Sequence, residues 1–296
     1  MYTSDDPRSA LAPKASKAAT HFGEPAFGRF WMTAPSSVTS FGRTWYTRGQ
    51  NFLAGYTEAG AGHLIARPFQ PDEYAIVLPE DTAEVTITWD GTETTVRGKS
   101  VIFVPPGDSR VFVKSATRLA SFFTTRSTDL VGFCSNAASH VNDPNVPPIE
   151  PWSDPVGGFR VRSYSLDFPI APGGFGRLFR CTTFMVNFFD ARTGPRDPSQ
   201  LSPHDHDDFQ QCSLVLDGSY VHHLRWPWVS DRNQWRADMH EPCEAPSVTF
   251  IPARVMHTSE AVGPGRNLLI DIFSPPRHDF SNKPGWVHNA ADYPAP

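Results

Sequence analysis

The chain lacks the features that would place it in a membrane or on a nucleic acid. No apolar run approaches the ~18–20 residues that a transmembrane helix needs. The formal net charge is −5, so there is no basic excess to match a phosphate backbone. We therefore expect neither a membrane span nor a nucleic-acid partner.

Cysteine is scarce and shows no pattern. The 296 residues contain four cysteines, and none of them forms a C-x-x-C motif. The N-terminal segment also lacks the apolar stretch that is typical of a secretory signal. These features favour a reduced environment, and we expect a cytoplasmic protein.

Helical periodicity is almost absent, whereas proline and glycine are frequent. The 29 prolines and 21 glycines separate many short apolar runs, among them EYAIVLPE, AEVTITWDG and KSVIFVPPGD. Short apolar runs bounded by turn residues are typical of all-β chains. The sequence therefore predicts an all-β protein built as a sandwich or barrel, with the jelly roll as the natural candidate.

The two halves of the sequence repeat the same order of parts. In each half an apolar strand (EYAIVLPE, then QCSLVLDG) is followed later by a strand that enters a proline-led turn (GKSVIFVPPGDSRV, then APSVTFIPARVMHT). A proline- and aspartate-rich stretch between them cannot sustain a strand ladder. We predict a duplicated fold: an N-terminal arm (1–26), a first barrel (27–140), a linker (141–158) and a second barrel with a C-terminal tail (159–296).

The stretch HDHDDFQQCSLVLDG carries the strongest chemical signal. His204 and His206 would point to one side of an extended chain, and Gln211 begins the apolar run that follows. His257 follows the later strand of the same half. An H-x-H pair alone is more often a surface loop, but three imidazoles and one amide oxygen suit Zn²⁺, Ni²⁺, Fe²⁺, Co²⁺ or Mn²⁺.

These motifs resemble those of the cupin family. HDHDDFQQCSLVLDG resembles the first cupin signature, and counting back from Gly218 puts Gln211, rather than Gln210, at the position of the family's glutamate. PARVMH resembles the second signature, with Arg254 where the family usually has glycine. The resemblance covers both halves and implies a bicupin, in which each half is a jelly-roll barrel and the metal lies inside the second.

The same alignment of motifs gives a different result in the first half. Glu73 falls at the acidic position, while Ala66, Pro68 and Arg110 fall where the family has histidines. One carboxylate and one cation do not form a site for a divalent metal, so we expect a first barrel without metal. Arg110 would either hold an anion or pair with Glu73 across the barrel, and we prefer the ion pair.

The last strand, LLIDIFSPPR, resembles the close of the small cupins of pectin and alginate breakdown. Those enzymes convert 4,5-unsaturated uronates to the open-chain keto form and use a histidine and glutamine metal set. The resemblance implies that Asp271 transfers protons, Arg277 holds the uronate carboxylate and Phe273 lines the pocket. The alternative is that this strand only closes the barrel, with Arg277 in a salt bridge at its rim.

A neutral glutamine among the ligands leaves the charge of the metal uncompensated. Such a metal is a stronger Lewis acid and holds an anion more tightly. We therefore expect a metal-dependent enzyme that acts on a small anionic substrate, most concretely a sugar acid. An Fe²⁺ dioxygenase and a non-enzymatic sugar- or effector-binding bicupin are the alternatives, and both a monomer and a homodimer remain open. His222 and His223 alternate on one strand, so one of them could face the site.

Overall fold

The computed structural model describes residues 21–170, 173–229 and 231–296. Most of the predicted N-terminal arm, residues 1–20, lies outside the described residues. Within the described ranges the chain is almost entirely β-strand, with two four-residue helices, α1 (Thr128–Val131) and α2 (His278–Ser281). None of the helices in these ranges is long and apolar enough to cross a membrane.

The strands alternate with tight turns along both halves. The first half contains β1 (Ala26–Gly28), β2 (Ser37–Thr39), β3 (Gly42–Arg48), β4 (Phe52–Ala59), β5 (Leu64–Gln70), β6 (Tyr74–Leu78), β7 (Glu84–Trp89), β8 (Thr92–Arg97), β9 (Ser100–Val104), β10 (Gly107–Val113) and β11 (Thr117–Thr124). The second half contains β12 (Arg162–Ser165), β13 (Arg177–Arg180), β14 (Met185–Phe188), β15 (Arg192–Thr193), β16 (Gln211–Asp217), β17 (Ser219–Arg225), β18 (Met239–Glu244), β19 (Ser247–Ile251), β20 (Met256–Ala261) and β21 (Arg266–Phe273).

Each half folds into a barrel of two antiparallel sheets. In the described residues of the first barrel, one sheet runs β12-β9-β6-β11-β4-β3-β2 and the other β5-β10-β7-β8. In those of the second, one sheet runs β1-β19-β16-β21-β14-β13, with β15 on β21, and the other runs β18-β17-β20. Antiparallel sheets that close on one another bury the strand edges that would otherwise be exposed.

Two strands are exchanged between the barrels. Strand β1, at the start of the described chain, pairs with β19 of the second barrel, with Phe27 opposite Thr249. Strand β12, which follows the interdomain segment, pairs with β9 of the first barrel, with Ser163 opposite Ile102. Each barrel is therefore completed by a strand from the other half of the sequence, and the exact domain boundaries remain a prediction.

Alternating side chains on the large sheets serve two different cores. On β6, Ile76 packs inside the first barrel, whereas Ala75 and Val77 face the second barrel. Strand β16 shows the same division, because Cys212 and Leu214 pack into the core shared by the barrels. Every second residue of β16, starting with Gln211, therefore points into the second barrel.

The interior of the first barrel is filled with apolar side chains. Val85, Ile87, Ile102 and Val111 are all fully buried there. Side chains of this kind offer no lone pair to a metal.

Glu73 and Arg110 do not form the predicted ion pair. The Glu73 carboxylate accepts hydrogen bonds from the Thr182 backbone N–H at 2.9 Å, the Thr182 hydroxyl at 2.7 Å and the Tyr293 hydroxyl at 2.7 Å. Arg110 is exposed, while its neighbour Ser109 is buried, so Arg110 points away from the barrel interior. Glu73 instead links the first barrel to residues of the second half.

Candidate metal centre and its cavity

Three histidines converge inside the second barrel. His204 lies in the loop before β16 and is tied to His257 on β20 by an isolated antiparallel bridge, with N···O distances of 3.0 and 2.8 Å. His206 follows two residues later on the same extended segment. One ring nitrogen from each of the three lies within 4.8 Å of the others. The H-x-H motif and the distant His257 are thus brought together by one backbone contact.

Backbone carbonyls fix the orientation of two of these rings. The Nδ1 atom of His204 lies 2.9 Å from the Ser202 carbonyl oxygen, and that of His257 lies 2.8 Å from the Val255 carbonyl oxygen. A carbonyl can only accept, so each Nδ1 carries the proton and each Nε2 keeps a lone pair. Metal-binding histidines are commonly held in this way.

Gln211, rather than Gln210, points toward the histidines. Its Oε1 atom lies 2.8 Å from His206 Nε2 and 3.4 Å from His257 Nε2. Gln210 turns to the interface between the barrels, where its Oε1 accepts a hydrogen bond from the Gln50 backbone N–H at 2.6 Å. The strand begins at Gln211, so its period of two places this side chain in the interior.

Asp271 determines which end of the Gln211 amide faces the histidines. The Asp271 Oδ1 atom accepts hydrogen bonds from Gln211 Nε2 at 2.9 Å and from the Ser213 hydroxyl at 2.6 Å. A carboxylate cannot donate when it is ionised, so the amide nitrogen must face Asp271 and the amide oxygen must face the histidines. Asp271 therefore presents Gln211 as an oxygen donor, and it also places a carboxylate directly behind this donor.

The donor set fits a divalent transition metal. Ligands at about 2.0–2.2 Å from one ion lie roughly 3–4 Å apart. The Gln211 oxygen lies 2.8 and 3.4 Å from the Nε2 atoms of His206 and His257, and one ring nitrogen from each histidine lies within 4.8 Å of the others. His206 is 5% exposed, Gln211 3% and His257 2%, so the donors are also largely shielded from water. Imidazole nitrogens with one amide oxygen suit Zn²⁺, Ni²⁺, Fe²⁺, Co²⁺ or Mn²⁺ and suit Ca²⁺ or Mg²⁺ poorly.

A cavity of about 610 Å³ opens onto this group. Its volume is adequate for a small organic molecule. Its wall includes three of the four ligand candidates, His204, Gln211 and His257, together with Asp271, and it also carries charged side chains. The described residues that line it are Ile170, Gly174, Phe175, Gly176, Phe189, Asp190, Arg192, Arg196, Asp197, Gln200, Ser202, His204, Gln211, Tyr220, His257, Thr258, Ser259, Ala261, Leu269 and Asp271.

Arg277 and Phe273 do not line the cavity, although the Phe273 ring meets that of His206 edge to face, with centroids 5.9 Å apart. The Arg277 guanidinium pairs with Asp279 at 2.9 and 2.5 Å and stacks on Phe280, with 3.6 Å to the ring centroid. Phe273 is 1% exposed and packs with Phe280 and Leu178. Among the described cavity-lining residues neither one appears. The ion pair agrees with the alternative expected for Arg277, a salt bridge at the rim of the barrel, and the stacking on Phe280 adds to it.

Two other arginines lie on the cavity wall, and the sequence reading missed both. Arg192 is exposed, and its guanidinium contacts the Pro195 carbonyl oxygen at 3.3 Å. Arg196 donates to the Gln200 carbonyl oxygen at 2.6 Å and to the Ser202 hydroxyl at 3.0 Å. Arg192 begins the two-residue strand β15, and Arg196 follows in a proline- and glycine-containing loop with no recognisable motif, so only the fold places both on the cavity wall.

His222 and His223 point to opposite faces of strand β17, as the alternation predicts. His222 is 1% exposed and its Nδ1 lies 2.8 Å from the hydroxyl of Ser259, which lines the cavity. Burial, together with the neighbouring His257 and His223, lowers the pKa of His222 to about 3, so the ring is neutral at pH 7. His223 faces the outside of the barrel.

Comparison with solved structures supports the fold. A variant of the oxalate decarboxylase of Bacillus subtilis matches over 91% of this chain and 81% of its own, with a TM-score of 0.56 and 13% identity. AerE from Microcystis aeruginosa matches over 87% and 100%, with a TM-score of 0.54 and 11% identity. The oxalate decarboxylase of Lactobacillus farciminis, in a formate complex, matches over 88% of both chains, with a TM-score of 0.53 and 10% identity.

At such low identity these similarities establish the fold alone. No family model and no curated protein matches the chain. The matches extend over both halves, and the matched proteins have the cupin fold. The predicted fold class, an all-β chain with two cupin barrels in tandem, is therefore confirmed.

Proposed function

We propose that this protein is a metal-dependent enzyme that acts on a small anionic substrate in its second barrel. The observation that carries the proposal is the convergence of three imidazoles and the oriented amide of Gln211 on the wall of an open cavity. A structural role alone does not require polar donors with fixed tautomers at the base of a cavity.

In this proposal His204, His206, His257 and Gln211 hold one divalent metal. When bound, the metal supplies Lewis acidity toward an oxygen of the substrate. The two backbone-bonded rings keep their Nε2 atoms directed to the ion, so little reorganisation is needed when it binds.

The charge near the metal differs from the sequence-based expectation of an uncompensated dication. The Asp271 carboxylate stands one hydrogen bond behind the Gln211 amide, at 2.9 Å from its nitrogen. The negative charge is thus displaced from the first ligand sphere rather than missing. At this distance it attracts the metal without occupying a coordination position, which leaves more room for substrate oxygens.

Asp271 is also the group that we assign to proton movement. It lines the cavity and is 6% exposed, so its carboxylate meets a bound substrate from a nearly dry position. Its Oδ1 is held by Ser213 and Gln211, which fixes the direction of the carboxylate. A proton can then move between a substrate carbon or hydroxyl and this carboxylate with little rearrangement.

Arg192 and Arg196, rather than Arg277, are our candidates for holding the anionic group of the substrate. Both line the cavity, and the planar guanidinium of arginine matches a carboxylate in a bidentate manner. Asp190 and Asp197 lie on the same wall. A substrate that carries hydroxyls next to its carboxylate would use both kinds of side chain, which supports a sugar acid of the uronate type.

The test is a turnover assay with the metal-loaded protein. Loss of the 4,5-unsaturated chromophore of a uronate should be faster with Zn²⁺-, Ni²⁺- or Mn²⁺-loaded protein than without protein, and Asp271→Asn should reduce this rate by at least about 100-fold, as for a general base. Oxalate should be assayed in parallel, because the structural neighbours include oxalate decarboxylases. No turnover of any small carboxylate, with metal bound, would overturn the proposal.

A further inference from the structure

The outer face of the sheet formed by β18, β17 and β20 carries a second group of imidazoles, separate from the cavity. His223 on β17 is directly opposite His240 on β18, and their Nδ1 atoms are 2.7 Å apart. On the other side of the ring, His223 Nε2 lies 2.9 Å from a carboxylate oxygen of Glu260 on β20. Three adjacent strands thus contribute to one chain of contacts.

Strand register shows that this group and the candidate metal centre lie on opposite faces of one sheet. His257 is opposite Leu224, and Thr258 is opposite His223. Residues opposite each other in a sheet point to the same face, and successive residues alternate. His257 faces the cavity, so His223 faces outward. The group of His223, His240 and Glu260 is therefore separate from the cavity.

The contacts define the protonation of both rings. The Glu260 carboxylate can only accept, so His223 carries its proton on Nε2 and keeps a lone pair on Nδ1. The 2.7 Å contact between the two Nδ1 atoms holds one proton, which lies on His240 when both rings are neutral. The pair therefore holds one proton at a position where two nitrogen lone pairs can converge.

We propose that His223 and His240 form a second site for a divalent transition metal, with Glu260 as the carboxylate behind the His223 ring. The metal replaces the Nδ1 proton of His240, which is released to solvent, and both nitrogens become ligands. Two nitrogens bound to one Zn²⁺ at about 2.0–2.1 Å lie roughly 3.3 Å apart, so the rings need to separate by only a little. His240 is exposed, so its ring is free to make this adjustment.

The surroundings suit a cation. Glu260 is hydrogen-bonded to the ring that binds, an arrangement that raises the basicity of a metal-binding imidazole. The nearest cation on the same face, Arg225, is neutralised by Asp238, with N···O distances of 2.5 and 3.0 Å. Water completes the coordination, and the chemistry of the donors favours Cu²⁺, Ni²⁺ or Zn²⁺.

The test is a calorimetric titration with Zn²⁺ alone of the full-length protein from which a chelator has removed all metal. The wild type should bind two equivalents, and His223→Gln and His240→Gln should each lose the weaker one and keep the other. Glu260→Gln should weaken the same equivalent by about tenfold, as is usual for a carboxylate behind a ligand. His288→Gln, which removes an exposed histidine outside both groups, is the matched control and should bind like the wild type.

The outcomes separate this site from the cavity site. If the cavity binds no metal, the wild type should bind one equivalent that is lost in His223→Gln and kept in His257→Ala. A Cu²⁺ electron paramagnetic resonance spectrum with coupling to two nitrogens, absent in His240→Gln, would confirm the ligands directly. Equal Zn²⁺ binding by the wild type and by His223→Gln/His240→Gln would overturn the proposal.

Discussion

At the scale of single residues, the orientation of one amide decides the character of the metal centre. An amide has one end that donates and one that accepts, and Gln211 could present either end to the histidines. The Asp271 carboxylate removes this choice because it accepts from Gln211 Nε2 at 2.9 Å. Asp271 thus supports a ligand in addition to lining the cavity.

Asp271→Ala should weaken metal binding by about 10–100-fold, the usual effect of losing a group that orients a ligand. The amide of Gln211 would then turn, so part of the population would present nitrogen to the ion. The measurement is competition with a chromophoric chelator. Ser213→Ala is the comparison variant: it removes the hydrogen bonds of the Ser213 hydroxyl with Asp271 and with the Gln211 amide nitrogen but keeps the carboxylate, so it should weaken metal binding less than Asp271→Ala does. Unchanged affinity in Asp271→Ala would contradict the orienting role.

Moving the carboxylate from position 271 to position 211 tests the contact between these two side chains more stringently. Gln211→Glu alone places two carboxylates in contact, so the metal-free variant should have a lower free energy of unfolding than the wild type. Adding Asp271→Asn supplies an amide that donates to the new carboxylate and should restore stability. Thermal unfolding of all three variants provides the comparison, and additive effects would argue against direct coupling.

At the scale of strands, the exchanged strand β1 packs closely against both barrels. An added methyl group at Gly28 would lie 2.7 Å from a Val248 methyl carbon on β19 and would also meet Phe30 and the Thr47 hydroxyl. Phe30 follows β1 in the chain, Thr47 lies on β3 and Val248 lies on β19. The absence of a side chain at Gly28 therefore allows the backbone of β1 to approach both barrels. Its role is spatial, because its backbone conformation is ordinary.

Gly28→Ala should lower the free energy of unfolding by about 1–3 kcal/mol, the usual cost of overpacking a filled core. Chemical denaturation of the purified variants measures this change. Gly132→Ala is the matched control, since an added methyl group there meets no atom within 4 Å and its φ is −65°. The control should be neutral or slightly stabilising. Equal effects of the two substitutions would mean that β1 is not tightly packed.

At the scale of the whole molecule, the two barrels share one core and one buried polar link. Phe52 of the first barrel packs against Phe250 and Phe184 of the second, with ring centroids 5.0 and 5.8 Å apart. Glu73 accepts hydrogen bonds from Thr182 and Tyr293 across the same boundary. We therefore expect both barrels to unfold in a single cooperative transition.

The titration of Glu73 should be visible in the pH dependence of stability. Burial raises the pKa of the Glu73 carboxyl above its ordinary value of 4.5, against the hydrogen bonds from Thr182 and Tyr293 that lower it. The folded state therefore holds this proton more tightly than the unfolded state does. The resulting stabilisation is complete below pH 4.5 and is lost as the pH rises through the higher pKa of the folded state.

The comparison with Glu73→Gln isolates this effect, because all other titrating groups are common to both proteins. The difference in unfolding free energy, wild type minus variant, should increase as the pH falls from neutral toward 4.5. Chemical denaturation at several pH values measures it. Parallel curves for the two proteins would show that Glu73 titrates alike in the folded and unfolded states.

The sequence predicted more of the local chemistry than of the long-range arrangement. Counting back from Gly218 in the motif that resembles the first cupin signature selects Gln211 over Gln210, and H-x-H followed by His257 points to a common site. The positions of Glu73 and Arg277 were predicted less well, because their partners, Thr182 and Phe280, depend on how distant segments pack. The exchange of β1 and β12 has the same origin: strand pairing between halves leaves no local pattern.

The most direct test of the account is anomalous X-ray diffraction from crystals loaded with a single divalent metal such as Zn²⁺ or Mn²⁺. We predict an anomalous peak inside the second barrel from a metal ion coordinated by His204, His206, His257 and the Oε1 atom of Gln211. Asp271 should still accept the hydrogen bond from the amide nitrogen of Gln211. A metal-loaded crystal with no peak among these residues, or with Gln211 turned away from the ion, would contradict it.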